Sequence, residues 1–204
     1  MRRTRSHTAD VRLEQQWRQA DFDRRREMII DVALRLLHQR GRKAVAMRRV
    51  AARLGVGTMT LYTYVDSQRT LHREMVRRGF DMLNQRGRAS STLGTPAGWR
   101  GGARAYLDFA LEHPNLYKLM FDTPLPEDDL DMLQGGFQTL LDRVREVRSQ
   151  QGEPASETEI NRAAGRFWIA LHGLASLAIA GRLSVLEGDL DDLLDDLLVR
   201  IAPA

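Results

Sequence analysis

Residues 58–64 read Thr-Met-Thr-Leu-Tyr-Thr-Tyr and follow a Gly55-Val56-Gly57 turn. A threonine hydroxyl bonds base edges, its methyl group touches thymine, and a tyrosine hydroxyl donates to phosphate. Helical spacing sets Leu61 on one side and Thr58, Met59, Thr60 and Thr63 on the other. These four are candidates for base contact. The plainer reading is that Thr58 and Thr60 only cap and solvate the helix. Tyr62 and Tyr64 suit phosphate contacts, with a core role for one of them as the alternative. Arg48 and Arg49 open the preceding helix, where free amide groups also attract phosphate. Either is otherwise an ordinary surface arginine.

Such residues need two short helices held at a fixed angle. Residues 47–54 have Val50, Ala51 and Leu54 inward, Gly55 reverses the chain, and Val56 plugs the space between the helices. That is the layout of a helix-turn-helix. Before it, Arg24–Gln39 places Ile29, Val32, Ala33, Leu36 and Leu37 on one helical face, stopped by Gly41. The third helix is predicted over Thr58–Val65. Ser67 caps a fourth, which carries Leu71, Met75 and Leu83 and ends by Arg86.

Further helices are predicted over Trp99–Glu112, from Pro114 through Phe121, and from beyond Pro124 and Pro126 to about Ser149. Two more follow over Glu157–Ala180 and Val185–Val199. No strand-like alternation of useful length is present. The expected fold is all-α with about nine helices. Its parts are a basic flexible arm at 1–22, a helix-turn-helix head of three core helices at 23–86, a loop or linker at 87–98 and a larger helical domain at 99–204. Within the arm, Val11, Leu13 and Trp17 are apolar enough to pack locally. Arg2, Arg3 and Arg5 reach a minor groove if the arm orders on DNA, and otherwise form a basic tail.

Charge divides along the same line. Residues 23–86 hold 15 basic and 6 acidic side chains, whereas 100–204 hold 10 basic and 18 acidic. The first stretch suits a polyanion and the second repels one. Arginine dominates the basic set, and its planar fork matches phosphates and guanine edges. The 204 residues contain no cysteine, which excludes disulfides, thiol nucleophiles and cysteine-ligated zinc and suits a cytoplasmic chain. No apolar run reaches membrane-spanning length, and no secretory leader pattern follows the basic start. There is no phosphate-cradling glycine loop and no nucleophile–base spacing, so enzymatic and cofactor chemistry has little support. His113 and His172 have no partner at metal-ligand spacing. His113 suits the kink before Pro114, and the acidic run at 127–129 suits solvent or a cation.

The stretches REMIIDVALRLLHQRG from Arg26 and MRRVAARLGVGTMTLYTYV from Met47 together resemble the TetR/AcrR family of transcriptional regulators. HPNLYKLMF at 113–121 and FWIALHGLASLAIAG at 167–181 resemble the subgroup with a Trp…His-Gly signature, here Trp168, His172 and Gly173. Three positions depart from the family pattern. Ala46 stands where Ser or Thr usually caps the second helix, and Gly57 stands where a polar cap often precedes the recognition helix. Gln68, with Arg69 beside it, replaces a lysine at a phosphate contact. The resemblance implies a homodimer reading a near-palindromic DNA operator, most often as a repressor, released by an unidentified small-molecule effector.

For that effector, Tyr106, Phe109, Tyr117, Met120, Phe121, Phe137, Trp168 and His172 supply candidate walls; each is otherwise plain core. Gly173 suggests close helix packing. Leu174, Leu177, Leu190, Leu194 and Leu198 have the composition of a dimer seam or of an intrachain core. The rival function is a helical ligand-binding or partner-binding protein without operator specificity.

Overall fold

The computed structural model describes residues 12–90, 96–122, 130–150, 152 and 155–201. Arg2, Arg3 and Arg5, the prolines at 124 and 126 and the acidic run at 127–129 lie outside the described residues. Among the described residues there are ten α-helices and no strand, an all-α fold. They form two compact units. One comprises the chain up to Gly79 with Lys118–Asp122; the other comprises Phe80–Tyr117 and Thr123 onward.

In the first unit, α1 covers residues 12–19 and α2 covers Phe22–Arg40. α3 is Met47–Leu54, α4 is Thr58–Tyr62, and α5, Gln68–Ala89, begins here. Asp21 starts α2 by accepting a hydrogen bond from the Arg24 amide at 2.8 Å, and Gly41 ends it at φ 72°. Neither Ala46 nor Gly57 offers a side-chain cap, so α3 and α4 begin with bare amides. Ser67 restores a cap at α5, its hydroxyl accepting from the Thr70 amide at 3.0 Å. The apolar spacing is realised in the packing: Ile29, Leu37, Val50, Leu54, Leu61 and Leu71 are all fully buried. Glu74 is the one buried charged residue among the described residues. Arg26 at 2.8 Å and Arg77 at 3.4 Å neutralise it.

The third predicted helix is shorter than its periodicity implies. It stops at Tyr62, and Thr63 and Tyr64 form a turn. Val65 is pulled into the core while its amide still bonds the Leu61 carbonyl at 2.9 Å.

The second unit takes the rest of α5, then α6 (Pro96–Glu112), α7 (Pro114–Phe121, through Tyr117) and α8 (Leu130–Gln150). α9 (Glu157–Ile179) and α10 (Leu190–Ile201) complete it. α9 packs on α6, α8 and α10. Its start is a reciprocal cap: the Ser156 hydroxyl accepts from the Glu159 amide, and the Glu159 carboxylate accepts from the Ser156 amide at 2.8 Å. Trp99 meets Phe167 edge-on at 5.1 Å. Arg100 and Arg104 on α6 grip α10 through Asp195 at 2.6 Å and Asp191 at 2.6 Å.

Two boundaries differ from expectation. α5 runs to Ala89 and α6 starts at Pro96, where a helix-initiating proline costs no hydrogen bond. α10 starts at Leu190 rather than Val185. Gly188 turns the chain at φ 91°, and the Asp189 carboxylate then caps the amides of Asp191 and Asp192. Val185 belongs to a separate 3-10 turn, Leu183–Val185.

The two sides of α4 predict opposite responses. Leu61→Ala should cost about 2–5 kcal/mol of unfolding free energy. Met59→Ala, on the exposed side, should stay within about 0.5 kcal/mol. Urea unfolding of both variants checks this.

Candidate nucleic-acid interface and interior polar chain

α4 presents its polar side outward because Leu61 anchors the other. Met59 is 78% exposed, Tyr62 is 41% exposed, and Thr60 and Thr63 are exposed beside them. Thr58 is half-buried. Arg48 and Arg49 are exposed in the first turn of α3. Hydroxyls, a thioether and guanidinium groups thus share the helix-turn-helix surface. That is the mix needed to touch base edges and backbone.

The structure separates the two tyrosines. Tyr62 faces solvent. Tyr64 is held in a clamp: its ring meets Trp17 edge-on at 5.3 Å and Phe22 at 4.9 Å, and its hydroxyl accepts from Arg25 at 2.9 Å. Arg25 also donates to the Trp17 carbonyl at 3.1 Å and lies over the indole. α1 is therefore docked on the head, a role the apolar Trp17 hinted at inside an otherwise polar arm. Glu14 on α1 fills the space that a Cβ on Gly55 would need, and Gly55 has φ 68°. A side chain at this turn is disfavoured twice over.

Gln68 is exposed, but its side-chain amide is engaged within the head. Its amide donates to the Val45 carbonyl at 2.9 Å, tying the start of α5 to the segment before α3. Arg69 next to it is exposed.

In the second unit, Tyr106, Tyr117, Phe137, Trp168 and His172 come together. The Tyr117 hydroxyl lies 2.6 Å from His172 Nδ1 and 2.9 Å from the Tyr106 hydroxyl. Tyr117 and His172 stack at 5.5 Å, and Phe137 meets Trp168 at 5.8 Å. Trp168 also hydrogen-bonds Tyr106. An indole only donates, so Trp168 donates to Tyr106, and the phenols of Tyr106 and Tyr117 carry the chain on to His172 Nδ1. Burial pushes the Tyr106 phenol up to about 12, more than its hydrogen bonds to Tyr117 and Trp168 lower it.

Other predicted wall residues lie elsewhere. Phe109 is fully buried in core packing, with the His113 ring at 5.3 Å and the Arg86 guanidinium at 5.9 Å. Met120 is buried in the first unit, and Phe121, half-buried, belongs to that unit as well.

Among the seam candidates, Leu194 is fully buried and Leu174 is buried in the chain's own core, while Leu177, Leu190 and Leu198 are half-buried. Leu174 and Leu194 are thus buried within the second unit, where α9 and α10 pack on each other. The exposed apolar residues of these helices are instead Ile169, 70% exposed, and Val199, 82% exposed. A Cβ on Gly165 or Gly173 would meet nothing within 4 Å. Among the described residues, nothing packs closely on Gly173, contrary to expectation. Among the described residues no group of His, Asp or Glu is placed to hold a metal ion. No described helix is long and apolar enough to cross a membrane.

Comparison with known proteins matches this geometry. Residues 29–75 match the description "Bacterial regulatory proteins, tetR family" and residues 99–201 match "Tetracyclin repressor-like, C-terminal domain". An HTH-type transcriptional regulator of Mycobacterium tuberculosis is 30% identical over 183 residues, covering 87% of this chain and 79% of that one. An HTH-type transcriptional repressor of Streptomyces coeruleorubidus is 31% identical over 103 residues, 48% of this chain and 36% of its own. A solved structure from Rhodococcus superposes with TM-score 0.73 at 19% identity, covering 90% and 97% of the two chains.

The buried phenol has a measurable signature. A folded-state value of about 12 against an ordinary value of 10 means the folded chain keeps its proton where the unfolded chain loses it. Folding stability should therefore fall between pH 10 and 12, with a slope of up to about 1.4 kcal/mol per pH unit from this group. Tyr106→Phe should remove that component, as read by urea unfolding at a series of alkaline pH values.

Proposed function

The chain belongs to the TetR family and is a DNA-binding transcriptional regulator, and from that premise we propose that it is a cytoplasmic, effector-released repressor acting as a homodimer on a near-palindromic operator. The observation that carries the DNA reading is the outward face of α4: Met59, Thr60, Tyr62 and Thr63 exposed around a fully buried Leu61. Thr58, Met59, Thr60 and Thr63 contact bases. Arg48, Arg49 and Tyr62 hold phosphates, with Arg69 beside them. Tyr64 and Gln68 serve the site by fixing α1 and the start of α5, since their polar atoms are engaged within the head.

One head reads few base pairs, and a two-fold pair reads both halves of a palindrome. The outer stripe of α9, Gly165, Ile169 and Gly173, together with Val199 on α10, supports a self-complementary helix surface that two copies bury. Repression is supported by the resemblance to the Streptomyces coeruleorubidus repressor. The effector reading rests on Tyr106, Tyr117, Trp168 and His172, three polar aromatics and an imidazole in one hydrogen-bonded chain. Their Trp168, His172 and Gly173 spacing supports the Trp…His-Gly subgroup. An effector acts only if it binds one arrangement of the dimer better than another. A ligand-binding helical protein without an operator is the rival. It predicts no discrete band in a gel shift with the DNA flanking its own gene under excess competitor.

Base and phosphate contacts should separate by variant. Arg49→Ala and Tyr62→Phe should weaken binding across sequences, by about ten-fold or less each, without changing the preferred site. The triple variant T58A/M59A/T60A should lose or change its preferred site in a random-sequence selection. An unchanged preference with full affinity would sink the assignment of α4.

Dimerisation should respond to the exposed residues rather than the buried leucines. Ile169→Glu with Val199→Glu should give a folded monomer by light scattering and weaken operator binding by about ten-fold or more. Leu194→Asp should instead unfold the second unit, visible as lost helical circular dichroism.

A further inference from the structure

Four arginines of the second unit are paired with carboxylates. Arg86 meets Glu112 at 2.5 Å, Arg100 meets Asp195 at 2.6 Å, Arg104 meets Asp191 at 2.6 Å and Arg145 meets Glu157 at 2.7 Å. Arg143 on α8 is different. It is half-buried, and its Nη2 donates to a neutral acceptor, the Gly87 carbonyl on α5, at 2.8 Å. Its Nη1 occupies the place where a Cβ on Gly102 of α6 would stand. Its Nε is buried and has no hydrogen-bond acceptor among the described residues. Among the described residues the acidic influence on it is Glu146, a turn further along α8, acting through space without a hydrogen bond. Burial lowers its proton affinity, against the upward direction of the paired arginines.

A guanidinium drawn out of water without a counter-charge is costly, and a glycine opposite it is what lets the helices close over it. In the unliganded chain the bond to the Gly87 carbonyl ties α8 to α5 but leaves Nε–H without an acceptor among the described residues. The arrangement becomes favourable when an anion supplies the missing acceptor, since Nε–H and an adjacent N–H form the fork that a carboxylate fits. Gly102 and Tyr106 lie one turn apart on α6, about 6 Å along its axis. Arg143 therefore sits beside the same helix face that leads into the Tyr106, Tyr117 and His172 chain.

We propose that Arg143 is the anchor of an anionic effector site: the regulator's small molecule carries a carboxylate bound by the Arg143 fork, and an apolar body reaching along α6 toward Tyr106. This inference rests on the effector reading above and narrows it from any apolar molecule to an organic acid.

The test uses the full-length protein and three probes, benzoate, phenylacetate and octanoate, each beside its neutral primary amide. Melting temperature and operator release are followed together. At least one acid should raise the melting temperature and weaken operator binding by about ten-fold or more, while its amide does neither. Arg143→Gln should abolish the acid response without lowering the melting temperature of the unliganded protein, because a desolvated charge has been removed. Gly102→Ala displaces the guanidinium with one methyl group and should weaken the same response while Arg143 stays charged. The site is overturned if no acid outperforms its amide on wild type, or if both variants respond like wild type. Release by a neutral compound that depends on Tyr117 but not Arg143 overturns this inference and leaves the effector reading standing. Failure to bind any operator overturns the regulator reading, and the melting-temperature comparison still decides the carboxylate site.

Discussion

A five-residue helix does not stand alone in water. Nucleation alone makes such a segment unstable, and α4 begins without a side-chain cap. Its existence depends on burying Leu61, fully enclosed, with Leu54 before the turn and Val65 after it equally hidden. The rest of the head follows from that requirement. α2 and α3 provide the apolar floor, Gly55 supplies the left-handed turn, and the Gln68 amide ties the start of α5 to the Val45 carbonyl. Polar residues on the outer side of α4 are free to serve recognition because none of them is needed to hold the helix.

The second unit solves a different problem. It brings polar and charged groups inside and must satisfy each. Trp168, Tyr106, Tyr117 and His172 do so by hydrogen-bonding one another in a chain. Arg100 and Arg104 do so by pairing with Asp191 and Asp195, which also places α10. Among the described residues of the second unit, Arg143 Nε is left without an acceptor, as Arg26 Nε and His72 Nε2 are in the first. An anion bound there would supply the missing acceptor, so the charge of a ligand is set by the arginine rather than by the aromatic residues.

How much of this was legible in the sequence depended on whether the information was periodic. Leu61 against Thr58, Met59 and Thr60 was readable because 3.6-residue spacing assigns sides. The stripe at 190–198 was readable as amphipathic, but spacing does not say whether a buried side meets its own chain or a second copy. Leu194 turned out to be internal, and the exposed apolar positions were Ile169 and Val199. Contacts between distant residues left no periodic trace. Tyr64 with Arg25 and Trp17, or Arg143 with Gly87 and Gly102, join helices far apart in sequence. Phe109 and Phe121 looked like equals of Tyr106 because aromatic content alone does not reveal orientation. The start of α10 differs from its periodicity for a local reason: Gly188 and Asp189 are a turn and a cap, and the apolar Val185 and Leu186 before them extend the apparent stripe.

α9 joins the two themes of the second unit. It is one helix of 23 residues, and it carries Trp168 and His172 on the side facing Tyr106 and Tyr117. Ile169, one residue on from Trp168, lies about 100° around the axis and is exposed. Gly165 and Gly173 sit one turn before and after Ile169, so the outer stripe can approach another surface closely. Packed helices shift as units rather than bending residue by residue. Under the proposed function, a molecule that displaces the imidazole or the indole therefore moves Ile169 and the stripe around it. The interior polar chain and the outer apolar stripe are then two sides of the same lever, and binding on one side biases how two copies meet on the other.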